Sequence, residues 1–267
     1  VDILSIEQLQ FSYTDDTKIF NGLTLSFPDT TATAIIGQNG AGKTTLVKLM
    51  KGLLRQQSGR ILYKGNDIAT MSVAELARYI GLVFQNPDDQ IFKHNVLEEV
   101  KFGPLNIGYL EEEAHAAALQ ALDKVGLMHL QDANPYDLNL SDRKMIAIAS
   151  ILAMNTPIVI FDEPTIAQDF IGKERIKKII AQLKQAGKLV ITIIHDMDFV
   201  AENFERTIIL ANGEKLVDAD TKVAFQQTAI LEKARLHVPH IMEVTKALGY
   251  SDTFLTVESF IQHYQKE

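Results

Sequence analysis

A chain of 267 residues, 46% of them hydrophobic, is long enough for one large α/β domain plus a small appendage and too apolar to be disordered. With 26 Lys and Arg against 34 Asp and Glu, the net charge of −8 argues against a sequence-independent grip on nucleic acid. The absence of Cys excludes a disulfide framework, thiol catalysis and a thiolate metal site. No apolar run approaches the roughly 18 residues that span a bilayer, and no signal-peptide pattern opens the sequence, so any membrane association is expected to run through a partner.

In chain order, Ile3, Ile6 and Leu9, then Phe11 and Tyr13, predict a strand, and Leu23, Leu25 and Phe27 another, together an antiparallel β-layer. Tyr13 precedes the polar turn Thr14-Asp15-Asp16-Thr17, so its ring is free to present a face to a flat ligand; a core or strand-edge tyrosine is the alternative. Ala32, Ala34, Ile35 and Ile36 run into Gly37-Gln38-Asn39-Gly40-Ala41-Gly42-Lys43-Thr44-Thr45, which Leu46, Val47, Leu49 and Met50 leave at helical spacing. The pattern GxxxxGK[ST] between a strand and a helix reads as a phosphate loop, against the alternative of an ordinary Gly-rich turn. Gly37, Gly40 and Gly42 are expected to adopt positive φ so that backbone N–H groups curl around phosphate oxygens. Lys43 is expected to reach the β- and γ-phosphates, Thr44 to ligate Mg²⁺, and the helix N-terminus to favour the anion.

Beyond this loop Gly52 ends the helix, and residues 59–67 read as a strand and turn. Ile80 to Phe84 is a buried strand that delivers Gln85 at its C-terminal end, where α/β sheets place ligand-contacting groups. A loop, Asn86-Pro87-Asp88-Asp89-Gln90, precedes an amphipathic segment from Val96 to Phe102 that Gly103-Pro104 should terminate. Residues 111–125 predict a helix with Glu111, Glu112 and Glu113 at its positive end, and a long helix is expected from near Ser141. The apolar strand from Ile158 to Phe161 ends in Asp162-Glu163-Pro164-Thr165. A helix over 170–186 stops at Gly187, and a strand from Leu189 to Ile194 stops at His195-Asp196. Near-continuous apolar strands alternating with helices imply a mostly parallel sheet covered on both faces. From about Thr221 onward the pattern is helical and amphipathic.

Transfer of a phosphoryl group to water needs charge neutralisation, an aligned water and a base, and each has a candidate at a strand end. Asp162 can hold Mg²⁺ through water, Glu163 can take the proton of the attacking water, His195 can bond the γ-phosphate, and Gln85 can ligate Mg²⁺ or position the water. Taken singly, each has a plainer explanation: Asp162-Glu163-Pro164-Thr165 as a helix cap, His195 as a surface residue. Their joint occurrence in this order favours the functional reading.

Gly37 to Thr45, Gln85, Asp162-Glu163-Pro164-Thr165, Asp169 and His195 together resemble the nucleotide-binding subunit of an ABC transporter. The segment from Leu82 to Phe92, Phe102-Gly103-Pro104 and Ile194-His195-Asp196-Met197 resemble more narrowly the ATPase subunits of energy-coupling factor transporters, importers of vitamins or transition-metal ions. The resemblance implies an α/β P-loop NTPase fold of ABC type: a mostly parallel sheet, an antiparallel β-layer and a helical signature subdomain. Residues 1–220 would form the ATP-binding domain, with the helical subdomain at about 86–155, and residues 221–267 a small C-terminal helical extension. It further implies ATP and Mg²⁺ as cofactors, with Tyr13 stacking on adenine, Glu163 as catalytic carboxylate, His195 as switch histidine and Asp169 in the loop that communicates across a dimer. The implied partners are a second ATPase subunit, a transmembrane coupling subunit and a substrate-binding membrane subunit at the cytoplasmic face of the cell membrane. The loop after Gln85 would receive the coupling subunit, with Asp88, Asp89, Glu98 and Glu99 either meeting basic side chains there or simply facing water.

The family pattern pairs each phosphate loop with a partner's LSGGQ signature, and here the sequence departs from it. Aligning the flanks puts Asn139-Leu140-Ser141-Asp142 where SGGQ belongs, and reading Leu140-Ser141 as the motif slipped by two residues misaligns both flanks. Ser141 is expected to cap its own helix, with Asp142 an anion beside the dipole. At about 4 Å and an effective dielectric near about 20, a carboxylate and a phosphate charge repel by about 4 kcal/mol. The expected consequence is one impaired composite site and a heterodimer. A soluble ABC-type ATPase and an ATP-binding subunit with little turnover are the competing readings.

Overall fold

The computed structural model describes residues 2–14, 17–28 and 30–265; Asp15 and Asp16 of the expected turn after Tyr13 lie outside them. In chain order the elements are β1 (Leu4–Ser12), β2 (Lys18–Phe27), β3 (Thr33–Ile36), α1 (Lys43–Met50), β4 (Ser58–Tyr63), β5 (Asn66–Asp67), α2 (Val73–Leu76), β6 (Ile80–Val83), α3 (Val96–Asn106), α4 (Glu111–Lys124) and α5 (Leu140–Ala153). The chain continues through β7 (Ile158–Asp162), α6 (Phe170–Gln185), β8 (Leu189–Ile193), α7 (Met197–Asn203), β9 (Arg206–Ala211), β10 (Glu214–Asp220), α8 (Thr221–Gln226), α9 (Thr228–Lys233), α10 (His240–Ala247) and α11 (Val257–Tyr264).

Two sheets organise the chain. One is the expected antiparallel layer, in the order β2-β1-β4-β5; the other runs β10-β9-β3-β8-β7-β6 and is parallel throughout except for its β10 edge. Because side chains alternate along a strand, the parallel sheet buries two apolar faces. Ile35, Ile160, Ile191 and Ile208 face α1 and the antiparallel layer, whereas Ile36, Phe161, Val190 and Ile209 face α5, α6 and α7. Helix α1 is therefore enclosed between the sheets, through Leu46, Leu49 and Met50. Each such fully buried aliphatic side chain contributes about 1.5–3 kcal/mol, which makes the β3–α1 turn one of the firmest points of the molecule.

Two expectations are corrected, and one element has no counterpart in them. Helix α3 does not stop at Gly103-Pro104 but runs on to Asn106. Pro104 falls in the last turn, where a single lost backbone bond is tolerable, and Gly103 sits so close to Met154 that a Cβ would lie 2.7 Å from its Cγ. Helix α5 is capped by Asn139, not Ser141: Asn139 Oδ1 accepts the Asp142 N–H at 2.9 Å. The antiparallel hairpin β9–β10 was not anticipated, although Asn212-Gly213, at φ of 50° and 77°, supplies the turn that two-residue hairpins demand. Helices α8 and α9 pack on the core beneath the parallel sheet through Ala224, Phe225 and Leu231.

Candidate active site

The β3–α1 turn takes its shape from close approaches. Gly40 and Gly42 have φ of 81° and 98°, as expected, but Gly37 does not need positive φ. It is required because a Cβ there would lie 2.2 Å from the carbonyl oxygen of Leu210 in β9. Lys43, the first residue of α1, is buried and folds back over the loop, its Nζ donating to the carbonyls of Gly37 at 2.7 Å and Gln38 at 3.1 Å. Burial pulls its pKa down, an effect the negative charges of Glu163 and Asp162 oppose. The ammonium thus stiffens the loop and lies close enough to two carboxylates to sense both.

A cleft of about 320 Å³ opens over this turn. Asn39, Gly40, Gly42, Lys43, Thr44 and Thr45 line it on one side, and Gln85, Glu163 and His195 on the other. Tyr13 stands at its edge, 54% exposed, with its hydroxyl 3.1 Å from Thr45 Oγ1 and its ring edge-on to Phe11. This is neither a core tyrosine nor a free one: the ring is held from behind and open in front. Gln38 does not line the cleft, since its carboxamide turns toward Asn212 at 3.4 Å, and Gly37 and Ala41 are buried in the loop's backing.

Asp162 closes β7 beneath the cleft, 3% exposed, and hydrogen-bonds the Thr44 hydroxyl. Burial is the main cause that pushes its carboxyl above the usual range. The Glu163 charge adds to this, and Thr44, Lys144 and Lys43 oppose it. Its Oδ1 has no hydrogen-bond partner. Glu163 follows at φ 50°, a left-handed conformation that costs a glutamate about 1–3 kcal/mol and is held by its N–H on the Ile193 carbonyl at 2.9 Å. The strained turn aims the side chain back into the cleft, where Oε1 lies 3.0 Å from His195 Nε2. An acceptor carboxylate, a histidine, a buried ammonium and a hydroxyl on one helix N-terminus together can hold a polyphosphate and activate a water beside it.

The ABC transporter family model matches residues 20–166, more than half of the chain. This chain belongs to the ABC transporter ATPase family. It is 34% identical over 252 residues to the energy-coupling factor transporter ATP-binding protein EcfA of Methanocaldococcus jannaschii, covering 94% of this chain and 90% of that protein. Over 250 residues it is 33% identical to EcfA3 of Clostridium perfringens, covering 91% and 88%. Among solved structures, cbiO1 of Clostridium perfringens, part of the ABC transporter complex cbiONQ, superposes with a TM-score of 0.76 at 31% identity over 92% of this chain and 99% of that one. The dimeric ABC transporter cassette MJ0796 superposes with a TM-score of 0.75 at 25% identity, covering 82% and 98%. As an ABC ATPase, the chain hydrolyses ATP in a reaction coupled to transport.

In this ABC ATPase the segment that the sequence aligns with the signature lies apart from the cleft. Asn139, Ser141, Asp142 and Asp169 line a second hollow of about 320 Å³, together with Gln168 and Arg175; Leu140 is exposed beside it. Ser141 spends its hydroxyl on Gln168 Oε1 at 3.0 Å, and Asp142 accepts from Asn139 Nδ2 at 2.7 Å. Asp169 caps α6 through the Gly172 N–H at 2.8 Å. The sequence offers no reading of one neighbour of the cleft: Lys144, 1% exposed, whose Nζ donates to the main-chain carbonyls of Phe84, Gln85 and Asp162. A lysine on the core-facing stripe of α5, one turn before the buried Ile148, was the available signal.

Proposed function

We propose that the chain is the ATP-binding and hydrolysing subunit of an importer of the energy-coupling factor type, for vitamins or transition-metal ions. It would work at the cytoplasmic face of the cell membrane through a transmembrane coupling subunit and a substrate-binding membrane subunit. Among the described residues no helix is long and apolar enough to cross a membrane, which fits attachment through partners. In this reading residues 1–220 are the ATP-binding domain, with a helical subdomain at about 86–155, and residues 221–267 are an extension.

The observation that carries the reading is the convergence of Lys43, Thr44, Gln85, Glu163 and His195 on one cleft above Asp162. The backbone N–H groups of the loop and of α1 cradle the phosphates, Lys43 swings from its carbonyls to the β- and γ-oxygens, and Tyr13 offers its open ring face to adenine. Glu163 accepts the proton of the attacking water, and His195, already in contact with it, holds the γ-phosphate. Among the described residues no cage of His, Cys, Asp and Glu side chains gathers for a metal. The Thr44 hydroxyl, the Gln85 carboxamide and the unpartnered Asp162 Oδ1 make a sparse set of hard oxygens, which suits Mg²⁺ held mostly by phosphate and water. When bound, that ion would supply charge neutralisation at the phosphates.

The signature hollow supports a heterodimer. A helix N-terminus that receives a partner's γ-phosphate must be open, whereas α5 is closed by its own Asn139 and carries Asp142 within the first turn. Two copies of this chain would make two impaired composite sites; a partner with an intact LSGGQ segment would restore the one built on this chain's phosphate loop. The test is phosphate release by the purified chain alone and co-expressed with such a partner. Slow release alone and rapid release by the pair are expected. Brisk, cooperative hydrolysis by the isolated chain would overturn the heterodimer, and absence of ATP binding would overturn the site.

A further inference from the structure

Lys144 does not line the cleft, yet its ammonium is fully engaged beside it. Its three ammonium donors meet three acceptors: the carbonyls of Phe84 at 2.8 Å, Gln85 at 2.8 Å and Asp162 at 3.2 Å. These carbonyls come from two parallel strands. Phe84 and Gln85 follow β6, and Asp162 ends β7. All three backbone positions carry, or directly precede, a side chain assigned to the magnesium nucleotide. The lysine itself rises from α5 little more than one turn after the Asn139 cap, so a single helix bears both the partner-facing segment and the anchor of the strand ends.

A second side chain acts at the same junction. Gln90 accepts the Phe84 N–H on Oε1 at 3.2 Å and donates from Nε2 to the Ala147 carbonyl of α5 at 2.8 Å. Phe84 is therefore held to α5 on both its N–H and its C=O, and Asp88 adds an ion pair to Arg143 at 3.0 Å. Gln85, exposed at the cleft, follows directly on this clamped base. Its own carbonyl is the last point at which the direction of its side chain is fixed. A core-filling role would be met by an aliphatic residue, as at Met145 and Ile148 on the same helix; burying an ammonium instead requires that all its donors be satisfied, which the three carbonyls do.

We infer that Lys144 is a positioning residue for nucleotide chemistry: it fixes the Gln85 main chain against that of Asp162, so that the two metal-facing side chains keep their spacing and move with α5. The inference rests on the reading of Gln85 and Asp162 as magnesium-facing groups, and the test separates the two. Calorimetry on the full chain measures ATP affinity with Mg²⁺ and with chelator; the ratio is the gain due to the metal. Outer-shell groups of a metal site change its affinity by about 10–100-fold, so Lys144→Met should lower that ratio about tenfold while chelator-condition binding stays within about twofold. Gln85→Ala should lower it similarly, and the double variant no further than either single one, since both act through one side chain.

A Gln85→Ala variant with an unchanged ratio overturns the assignment of Gln85. An effective Gln85→Ala paired with a silent Lys144→Met, or with losses that multiply in the double variant, overturns the inference about Lys144 and leaves that assignment standing. If Lys144→Met fails to fold by circular dichroism, Lys144→Gln, which keeps an amide donor, takes its place in the same cycle. Failure of both to fold makes Lys144 a structural residue and overturns the inference.

Discussion

Glu163 Oε1 and His195 Nε2 are 3.0 Å apart across the cleft, the carboxylate 4% exposed and the imidazole 42%. The contact joins the ends of β7 and β8, adjacent parallel strands, so its geometry is set by strand pairing rather than by a mobile loop. Glu163→Gln keeps an oxygen or amide in contact with His195 but removes the carboxylate proposed as proton acceptor. Loss of a positioned general base costs about 10²–10⁴-fold. Phosphate release by the assembled ATPase should fall by that amount while equilibrium ATP binding is retained. Equal loss of binding and turnover would assign Glu163 to binding alone.

What could be read in advance divides by the range of the interactions involved. The phosphate loop was legible because its glycines, lysine and flanking apolar runs are local and each constrains the backbone. Asp162, Glu163, Gln85 and His195 were legible as endpoints of apolar strands, since a polar residue that follows a buried run must sit at a sheet edge. The loop pattern suggests a positive-φ role for Gly37, whereas its requirement comes from Leu210, far along the chain, which no local pattern reveals. Asn139 and Ser141 are both good capping residues two positions apart, and only the tertiary bond of Ser141 to Gln168 decides between them. Lys144 was missed because its acceptors are main-chain carbonyls, to which sequence identity is blind.

Gly37→Ala tests the close approach of β3 to β9. A methyl group 2.2 Å from the Leu210 carbonyl oxygen meets backbone there and the Ala41 Cβ at 3.2 Å, so the strands must part. Overpacking of this kind costs about 1–3 kcal/mol. Thermal unfolding should shift down by several degrees, and ATP affinity should fall with it, because the Gly37 carbonyl that anchors Lys43 is displaced. A variant that melts like the parent would show that the β3–β9 junction yields more freely than this packing implies.

Asn139→Ala and Ser141→Ala separate the cap from the lock. Asn139 satisfies the Asp142 N–H, and removing an N-cap side chain costs about 1 kcal/mol. Ser141→Ala frees Gln168 Oε1 in a partly open hollow and should cost about half as much, since a neutral side-chain bond contributes about 0.5–1.5 kcal/mol and water can replace it. Denaturant midpoints read both. The reverse order would restore Ser141 as the functional cap.

The attachment of α10 to α7 should depend on pH. The His240 imidazole contacts the Asp198 carboxylate, and the His240 N–H donates to Asp198 Oδ1 at 2.8 Å. Asp196 and Glu243 also face this groove, with Lys173 held 2.6 Å from Asp196 and with His237 and His195 at its rim. The hydrogen bond that the imidazole donates to the Asp198 carboxylate, and secondarily the carboxylate's charge, hold His240 above its ordinary value near 6.5. A raised histidine stabilises the folded arrangement fully below the unfolded value, and that contribution is lost as pH climbs through the folded one. Amide exchange in residues 240–247 should therefore be slower at about pH 6 than at about pH 9 after correction for intrinsic rates, and His240→Gln should flatten the difference. The backbone bond to Asp198 Oδ1 survives in that variant, so the helix should stay docked and lose only its pH response. A corrected profile that is already flat in the parent chain would mean that the imidazole carries no part of the attachment.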